Sequence, residues 1–186
     1  MKTGKLIVLT GPSGVGKGTL VKQLQDKHTQ LKVSISATTR QPRPGEIDGK
    51  DYLFWSRDVF TRAIAEGKLL EWAEYAGNYY GTPLQSVQAS LEQGETILLE
   101  IEVVGAKTVK KLFPQAFLIF ILPPSLSELE VRLRGRGPLA ESMLQERLDR
   151  AREELAQAPS FDLQIVNDDL QQALKVLEQG IFGWES

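Results

Sequence analysis

Apolar runs alternate with amphipathic segments along most of the chain. The pattern predicts strands at Lys5–Thr10, Leu31–Ser36, Thr96–Glu102, Ala116–Leu122 and Leu163–Val166. It predicts helices at Lys17–His28, Ala106–Leu112, Leu126–Leu133, Ser142–Ala156 and Leu170–Gln179. The fourth strand is apolar almost throughout, which is typical of a strand buried on both faces. Because strands and helices alternate, we expect a three-layer α/β/α fold with a central parallel sheet.

Two segments interrupt this alternation. Residues 37–84 are rich in turn-forming and aromatic residues, with short strand-like pieces at Asp51–Trp55 and Leu69–Tyr75. This pattern indicates an inserted mixed α/β subdomain. Residues 134–141 are rich in glycine and arginine between two predicted helices, as is typical of a lid. We therefore expect one domain with core segments 1–36, 85–125 and 158–186, an insertion at 37–84 and a short helical lid at 126–157.

The first predicted strand runs directly into a glycine-rich turn, and a lysine then opens the first helix. The turn matches the pattern Gly-x-x-x-x-Gly-Lys with Gly11, Pro12, Ser13, Gly14, Val15, Gly16, Lys17, Gly18 and Thr19. Glycines let such a loop turn its N–H groups inward, and the helix N-terminus favours anions. The lysine reaches the outer phosphates of a nucleoside triphosphate. A flexible glycine-rich surface loop is the alternative, but the flanking strand and helix favour a P-loop NTPase fold.

One position in this loop departs from the usual pattern. Gly18 stands where a serine or threonine usually binds Mg²⁺, and the hydroxyl comes one residue later at Thr19. We therefore expect Mg²⁺, as the companion of ATP, to be held mostly through water. Thr19 and Glu100 are the candidate protein contacts.

Composition narrows the classes of function. The chain has 186 residues, 41% apolar and 25% charged, and a formal net charge of −2, which argues against a general nucleic-acid binder. It has no cysteine and a single histidine, His28, for which we expect a solvated helix cap. No apolar run reaches the ~18 residues of a membrane span, and the first residues lack a signal pattern. We expect a cytoplasmic monomer or small homo-oligomer without nucleic-acid or membrane partners.

Charged residues cluster in three further places. Arg40 and Arg43 follow the second strand, stiffened by prolines, and suit a second anionic group, although exposed arginine pairs are also common. Glu100 and Glu102 alternate on a predicted strand, so we expect both on one face, where they would need a cation or ligand donors; the alternative is that they splay into solvent. Residues 132–152 contain six arginines and no lysine, at Arg132, Arg134, Arg136, Arg147, Arg150 and Arg152.

These motifs, in this order and spacing, resemble bacterial-type guanylate kinases over nearly the whole chain. The matching segments are 11–19, 36–46, 49–54, 70–75, 77–82 and 135–137. The resemblance implies the reaction ATP + GMP ⇌ ADP + GDP, with dGMP as a second acceptor. It also implies that the insertion binds GMP and that the lid closes over the transferring phosphate.

The resemblance assigns roles to individual residues. It implies that the GMP phosphate is held by Arg40, Arg43, Tyr52 and Tyr80. It implies that guanine is read by Ser36, Glu71 and Thr82, and that Glu100 and Glu102 lie near the Mg²⁺ waters and the acceptor. On the ATP side it implies that Lys17 and Arg132 reach the donor and that Arg136 and Arg147 close on the transferring phosphate. It also implies that Asn167 and Asp168 contact the adenine side. Val104 replaces a glutamine frequent in the family, and Arg134, Arg150 and Arg152 are expected to be solvated partners of nearby carboxylates.

The chemistry of guanine agrees with this assignment. Guanine presents two adjacent donors, N1–H and the 2-amino group, and the Glu71 carboxylate can accept both. Adenine lacks this donor edge and would leave the carboxylate unpaired, a difference worth a factor of ~10⁴ or more.

Two other functions compete with this interpretation. One is a non-catalytic guanylate-kinase-like module that binds phosphopeptides, which the complete phosphate loop with Lys17 disfavours. The other is a related small P-loop kinase with a different acceptor, which would have little use for Glu71 and the segment 77–82.

Overall fold

Five parallel strands form the central sheet. The computed structural model describes residues 4–75, 77–135, 137 and 140–183. Numbered in chain order over these residues, the strands and helices are β1 (Lys5–Thr10), α1 (Lys17–Lys27), β2 (Lys32–Val33), β3 (Ala37–Thr38), β4 (Leu53–Phe54), α2 (Arg57–Ala65), β5 (Leu69–Tyr75), β6 (Asn78–Pro83), α3 (Leu84–Glu92), β7 (Thr96–Glu100), α4 (Val103–Leu112), β8 (Phe117–Leu122), α5 (Leu126–Arg134), α6 (Glu141–Leu155), β9 (Leu163–Val166) and α7 (Leu170–Gly183).

The central sheet has the strand order β2-β7-β1-β8-β9, with every neighbouring pair parallel. Ile7, Val8 and Leu9 of β1 are fully buried because strands lie on both sides of β1 and helices cover both faces. In register, Leu9 lies beside Glu100 of β7 and Ile119 of β8. The carboxyl ends of the strands therefore meet at one edge of the sheet.

A separate hydrophobic core lies on each face of the sheet. On one face, Leu20 and Leu24 of α1 pack with Leu174 of α7 and with residues of α5 and α6. On the other face, Val87 of α3 and Val109 of α4 pack with apolar residues of β1 and β7. The predicted three-layer α/β/α architecture is confirmed.

A second, four-stranded sheet is built by residues 37–83, in the order β4-β3-β6-β5. β3 runs parallel to β4 and antiparallel to β6, and β5 pairs antiparallel with β6. The predicted small mixed sheet is therefore present. The boundaries of the insertion and of the lid stay predictions.

Several predicted element bounds were wrong. The strand predicted at Leu31–Ser36 is limited to Lys32–Val33, because it lies at the edge of the sheet and pairs with β7 alone. The strand predicted at Thr96–Glu102 ends at Glu100, because Glu102 is already the N-cap of α4. The strand predicted at Asp51–Trp55 is reduced to Leu53–Phe54.

Two helices, α2 and α3, were not predicted. Their sequences lie within or beside the turn-rich segment, whose composition hides the helical period. α2 nonetheless begins with a local signal, since the Ser56 side chain accepts a hydrogen bond from the Val59 N–H at 3.2 Å.

His28 follows α1 directly, as expected for a helix cap, but its ring is not simply solvated. Its Nε2 lies 3.1 Å from the Glu178 carboxylate, and its ring centroid is 4.3 Å from that of Phe182. Both partners belong to α7, so the histidine joins two helices on one face of the sheet. Over the part of the chain that the structure describes, every helix is too short or too polar to cross a membrane.

The N-cap of α5 gives a test of local stability. The Ser125 side chain accepts a hydrogen bond from the Glu128 N–H at 3.0 Å. Ser125→Ala should lower the free energy of unfolding by about 1 kcal/mol, measured by urea denaturation. Ser127→Ala, two residues along in the helix, is the matched control and should stay within about 0.5 kcal/mol of the wild type. Equal losses for the two variants would show that Ser125 does not act as the cap.

Candidate active site

A tight glycine loop connects β1 to α1 at the carboxyl edge of the central sheet. Gly11 and Gly16 both have positive φ, 145° and 100°. A Cβ added at Gly11 would lie 2.4 Å from the Ile121 carbonyl oxygen, and one at Gly16 would lie 2.5 Å from Asn167 Nδ2. The loop therefore needs glycine at both positions for backbone shape and for space.

Lys17 lies over this loop. Its Nζ donates hydrogen bonds to the Gly11 carbonyl at 2.6 Å and to the Pro12 carbonyl at 3.2 Å. The first turn of α1 contains no acidic residue, so the positive end of the helix dipole is left uncompensated within that turn. Loop N–H groups, helix terminus and ammonium together make an anion-binding site.

Asn167 supports the loop from the far side. It follows β9, is buried, and donates through Nδ2 to the Val15 carbonyl at 2.8 Å. Its own carbonyl accepts a hydrogen bond from Arg132 Nη1 at 3.0 Å, while Asp168 next to it is exposed. The family resemblance implied that Asn167 contacts the adenine side, and it gave no indication of this hydrogen bond to the loop. A polar amide directly after a buried strand, at the edge where β1 also ends, is the signal that could have revealed it.

A buried carboxylate and hydroxyl define a second site in the small sheet. Glu71 on β5 lies opposite Thr82 on β6, and both are buried. The Thr82 hydroxyl donates to Glu71 Oε1 at 2.7 Å. Burial raises the pKa of Glu71, and the hydrogen bond from Thr82 offsets only part of this effect. Such a carboxylate is costly in the fold alone and suits a ligand that brings hydrogen-bond donors. Ser36, also assigned to guanine, is half-buried directly before β3.

Glu46, to which the sequence analysis assigned no role, holds Arg40 in place. The Arg40 guanidinium donates two hydrogen bonds to the two Glu46 oxygens, each at 2.9 Å. The Arg43 N–H donates to the same carboxylate at 2.6 Å. The Arg40 guanidinium is the main cause that lowers the pKa of Glu46 to about 2. Glu46 therefore fixes the loop that carries both arginines.

Two tyrosines complete this cluster. The Arg40 guanidinium lies 5.3 Å from the centroid of the Tyr52 ring, and the Tyr52 and Tyr80 rings are 6.3 Å apart. Hydrogen bonding to Glu46 and, more weakly, to Tyr80 raises the pKa of Arg40. The structure thus brings together three of the residues assigned to the acceptor phosphate, and it places the exposed Arg43 in the same loop.

Glu100 lies between the two sites. A Cβ added at Gly18 would be 3.9 Å from both Glu100 carboxylate oxygens, so Glu100 faces the start of α1. Burial, followed by the charge of Glu100, raises the pKa of Tyr52 in the acceptor cluster. Glu100 therefore influences both the phosphate loop and the tyrosine cluster.

Glu102 does not share the position of Glu100, so the expected pair of carboxylates on one strand face is wrong. The strand ends at Glu100, and the Glu102 side chain forms an ion pair with Arg150 of α6. Arg150 also pairs with Glu154 at 3.1 Å and lies 5.2 Å from the centroid of the Tyr75 ring. Its pairing with Glu154 agrees with the expected partnership with nearby carboxylates, whereas its ion pair with Glu102 at the N-cap of α4 and its contact with Tyr75 of β5 were not expected.

The remaining arginines of the predicted lid have varied surroundings. Arg132 pairs with Glu128 at 3.0 Å in addition to its contact with Asn167. Arg134 binds Glu130 and Glu141, and Arg152 binds Asp149, as expected of solvated residues. Arg147 is half-buried on α6. Arg136 lies outside the described residues.

Comparisons with known proteins agree with this geometry. The family model for guanylate kinases matches residues 3–183. A guanylate kinase of Thermosynechococcus vestitus is 58% identical over 179 residues, which cover 96% of this chain and 94% of that protein. One of Synechocystis sp. is 60% identical over 171 residues, covering 92% and 90%. The crystal structure of a guanylate kinase from Anaplasma phagocytophilum matches with a TM-score of 0.81 at 31% identity, covering 98% of this chain and 86% of that one.

The central parallel sheet, with a glycine-rich phosphate loop between β1 and α1, has the architecture of the P-loop nucleotide-binding proteins. With the matches to known proteins added, the class narrows to one family. The chain belongs to the guanylate kinase family.

The contact between Asn167 and the phosphate loop gives a prediction. Asn167→Ala removes the donor to the buried Val15 carbonyl, so the loop should lose its shape. We expect KM for ATP to rise about 10-fold or more, and the free energy of unfolding to fall by about 1–3 kcal/mol. Steady-state kinetics and urea denaturation measure the two effects. Gln164→Ala, on the exposed side of β9, should change neither; a wild-type KM for ATP in Asn167→Ala would show that the loop keeps its shape without this amide.

Proposed function

We propose that this chain transfers the γ-phosphoryl group of ATP to GMP, and also to dGMP, between two facing sites at the carboxyl edge of the central sheet. The observation that carries the proposal is the buried Glu71–Thr82 pair. The arginine–tyrosine cluster belongs to the same inserted segment, and Glu100 faces both this cluster and the start of α1 after the phosphate loop. One site suits a triphosphate. The other suits a base with two adjacent donors joined to a phosphate.

The acceptor site separates base from phosphate. Glu71 accepts N1–H and the 2-amino group of guanine, and the hydroxyl of Ser36 or of Thr82 serves one of its acceptor atoms. The GMP phosphate is bound by Arg40, Arg43, Tyr52 and Tyr80. Glu46 acts as a positioning residue, because it holds Arg40 bidentately and the Arg43 backbone with the same carboxylate. A guanidinium fork that is already oriented loses less entropy when phosphate oxygens bind.

The donor site neutralises charge. Lys17 and the loop N–H groups bind the outer phosphates of ATP, and Arg132 with Asn167 and Asp168 lie on the adenine side. Arg136 and Arg147 approach the transferring phosphoryl group from the lid. The acceptor oxygen is already a phosphate anion, so transfer needs positioning and charge stabilisation rather than a strong general base.

The residues present fit a Mg²⁺ ion that keeps most of its water. Gly18 provides no hydroxyl, Thr19 is exposed, and the Glu100 carboxylate faces the start of α1, where it would accept hydrogen bonds from metal-bound water. A Mg²⁺ ion held there would supply positive charge that offsets the negative charge of the outer phosphates of ATP. Glu102 forms an ion pair with Arg150 rather than a carboxylate pair with Glu100, and its charge contributes to the raised pKa of Glu71.

The two competing functions have less support. A phosphopeptide-binding module has no need for a complete phosphate loop with Lys17 placed over it. A kinase with a different acceptor has no need for a buried carboxylate that accepts two donors.

Lys17→Ala tests the donor site. Loss of the ammonium removes charge stabilisation that is greatest in the transition state, so turnover with ATP and GMP should fall at least ~10²-fold. A coupled assay of ADP release measures it, and an unchanged melting temperature checks folding. Lys27→Ala at the other end of α1, where the lysine pairs with Glu178, is the control for losing a lysine from this helix. Near-normal turnover in Lys17→Ala would contradict the donor assignment.

Glu71→Gln tests the acceptor site. The amide has one acceptor oxygen in place of two, so KM for GMP should rise at least ~10-fold while KM for ATP stays unchanged. Titrating GMP, dGMP, AMP and UMP in one assay should show reduced discrimination against AMP. Glu74→Gln, three residues along β5 and half exposed, is the matched control and should leave all values unchanged.

The stability of Glu71→Gln provides an independent readout. Burial raises the pKa of Glu71, so the wild type loses stability as pH rises above the usual pKa of a glutamate, where the unfolded chain ionises. The neutral amide has no such loss, and the variant should be at least as stable as the wild type at pH 7. Unchanged selectivity between GMP and AMP in a stable variant would rule out Glu71 as the guanine-reading residue.

A further inference from the structure

α4 packs against β5 over several residues, and Gly105 in its first turn faces the Glu71 side chain. A Cβ built on Gly105 would lie 2.5 Å from Glu71 Oε2, 3.1 Å from Cδ and 3.3 Å from Cγ. All three nearest atoms belong to the same side chain. The Glu71 carboxylate therefore occupies the volume that any side chain at position 105 would fill.

The backbone does not require glycine at this position. Gly105 lies within a regular helix, and its φ is outside the positive range that excludes other residues. Glycine weakens a helix relative to alanine, because it loses more backbone entropy on folding. Glycine at position 105 therefore lowers the stability of the helix, and it leaves space for the Glu71 side chain.

The contact fixes the carboxylate on two sides. Oε1 accepts the hydrogen bond from Thr82, and Oε2 occupies the space beside Gly105 that a Cβ would need. Glu71 belongs to the small sheet, and α4 packs on the central sheet as well as on β5. The position of the carboxylate is thus set jointly by the two sheets.

A methyl group at position 105 would meet the end of a flexible side chain rather than backbone. This differs from Gly4, where an added Cβ would meet the Leu91 backbone at 2.6 Å. The glutamate tip can rotate away without moving either sheet. The expected consequence is a displaced carboxylate in a protein that remains folded.

We propose that Gly105 is a specificity-determining positioning residue. The missing side chain at this position sets the place where the Glu71 carboxylate meets the two donors of guanine. The inference rests on the proposed function, in which Glu71 reads the base. Gly105 itself contacts no substrate and acts through Glu71.

Gly105→Ala tests the inference. KM for GMP should rise ~10-fold or more, because displacing a recognition group by about 1 Å has effects of up to ~10²-fold. Discrimination against AMP should fall, KM for ATP should stay within ~2-fold, and the melting temperature should be unchanged or higher because alanine favours the helix. Gly183→Ala is the matched control, since it is a helical glycine with open space around its Cβ position.

A second variant separates positioning from general disturbance. Glu71→Asp shortens the side chain by one methylene and leaves room for a methyl group at position 105. In the Glu71→Asp background, adding Gly105→Ala should raise KM for GMP by less than ~3-fold, compared with ~10-fold or more in the wild-type background.

Each outcome points to one conclusion. Wild-type KM for GMP and selectivity in Gly105→Ala, together with their loss in Glu71→Gln, would overturn the role of Gly105 and leave the proposed function standing. Unchanged selectivity in Glu71→Gln would instead overturn the proposed function. A fall in melting temperature with equal losses for ATP and GMP would show a structural role only, as would failure to fold in both backgrounds.

Discussion

The parallel register of the central sheet is the constraint on which the site depends. Leu9 of β1 lies beside Glu100 of β7, and β8 lies on its other side. The loop after β1 and the last residue of β7 must therefore emerge at the same edge. β9 extends the sheet from β8 and delivers Asn167 to that edge, where it supports the loop. Three segments that are far apart in sequence become neighbours because their strands run in one direction.

The site holds polar groups in arrangements that folding alone would not favour. Glu71 is buried with a hydroxyl as its hydrogen-bonding side-chain partner, and burial raises its pKa. Lys17 donates hydrogen bonds to the Gly11 and Pro12 carbonyls of the phosphate loop. Groups of this kind are retained at a cost in stability when a ligand completes their hydrogen bonds. Orientation before binding reduces the entropy lost when the ligand arrives.

Three kinds of contact hold the polar residues of the candidate site in place. Arg150 of α6 pairs with Glu102 beside the central sheet and lies near Tyr75 of the small sheet. Gly105 of α4 leaves the space that the Glu71 carboxylate of β5 occupies. Glu46 orients Arg40 within one loop. The three differ in kind: Arg150 forms ion pairs, Gly105 leaves space, and Glu46 forms a bidentate salt bridge.

The sequence alone determined those features that depend on neighbouring residues. An apolar run predicts β1, spaced glycines predict the phosphate loop, and an amphipathic period predicts α1. The tertiary structure decided what depends on partners distant in the chain: the early end of β7, the helices hidden in the turn-rich segment, the support of the loop by Asn167, and the pairing of Arg150 with Glu102. The physical reason is that local patterns report backbone preference and burial, whereas a side-chain contact between distant residues exists only once the sheets have placed them within a few ångströms of each other.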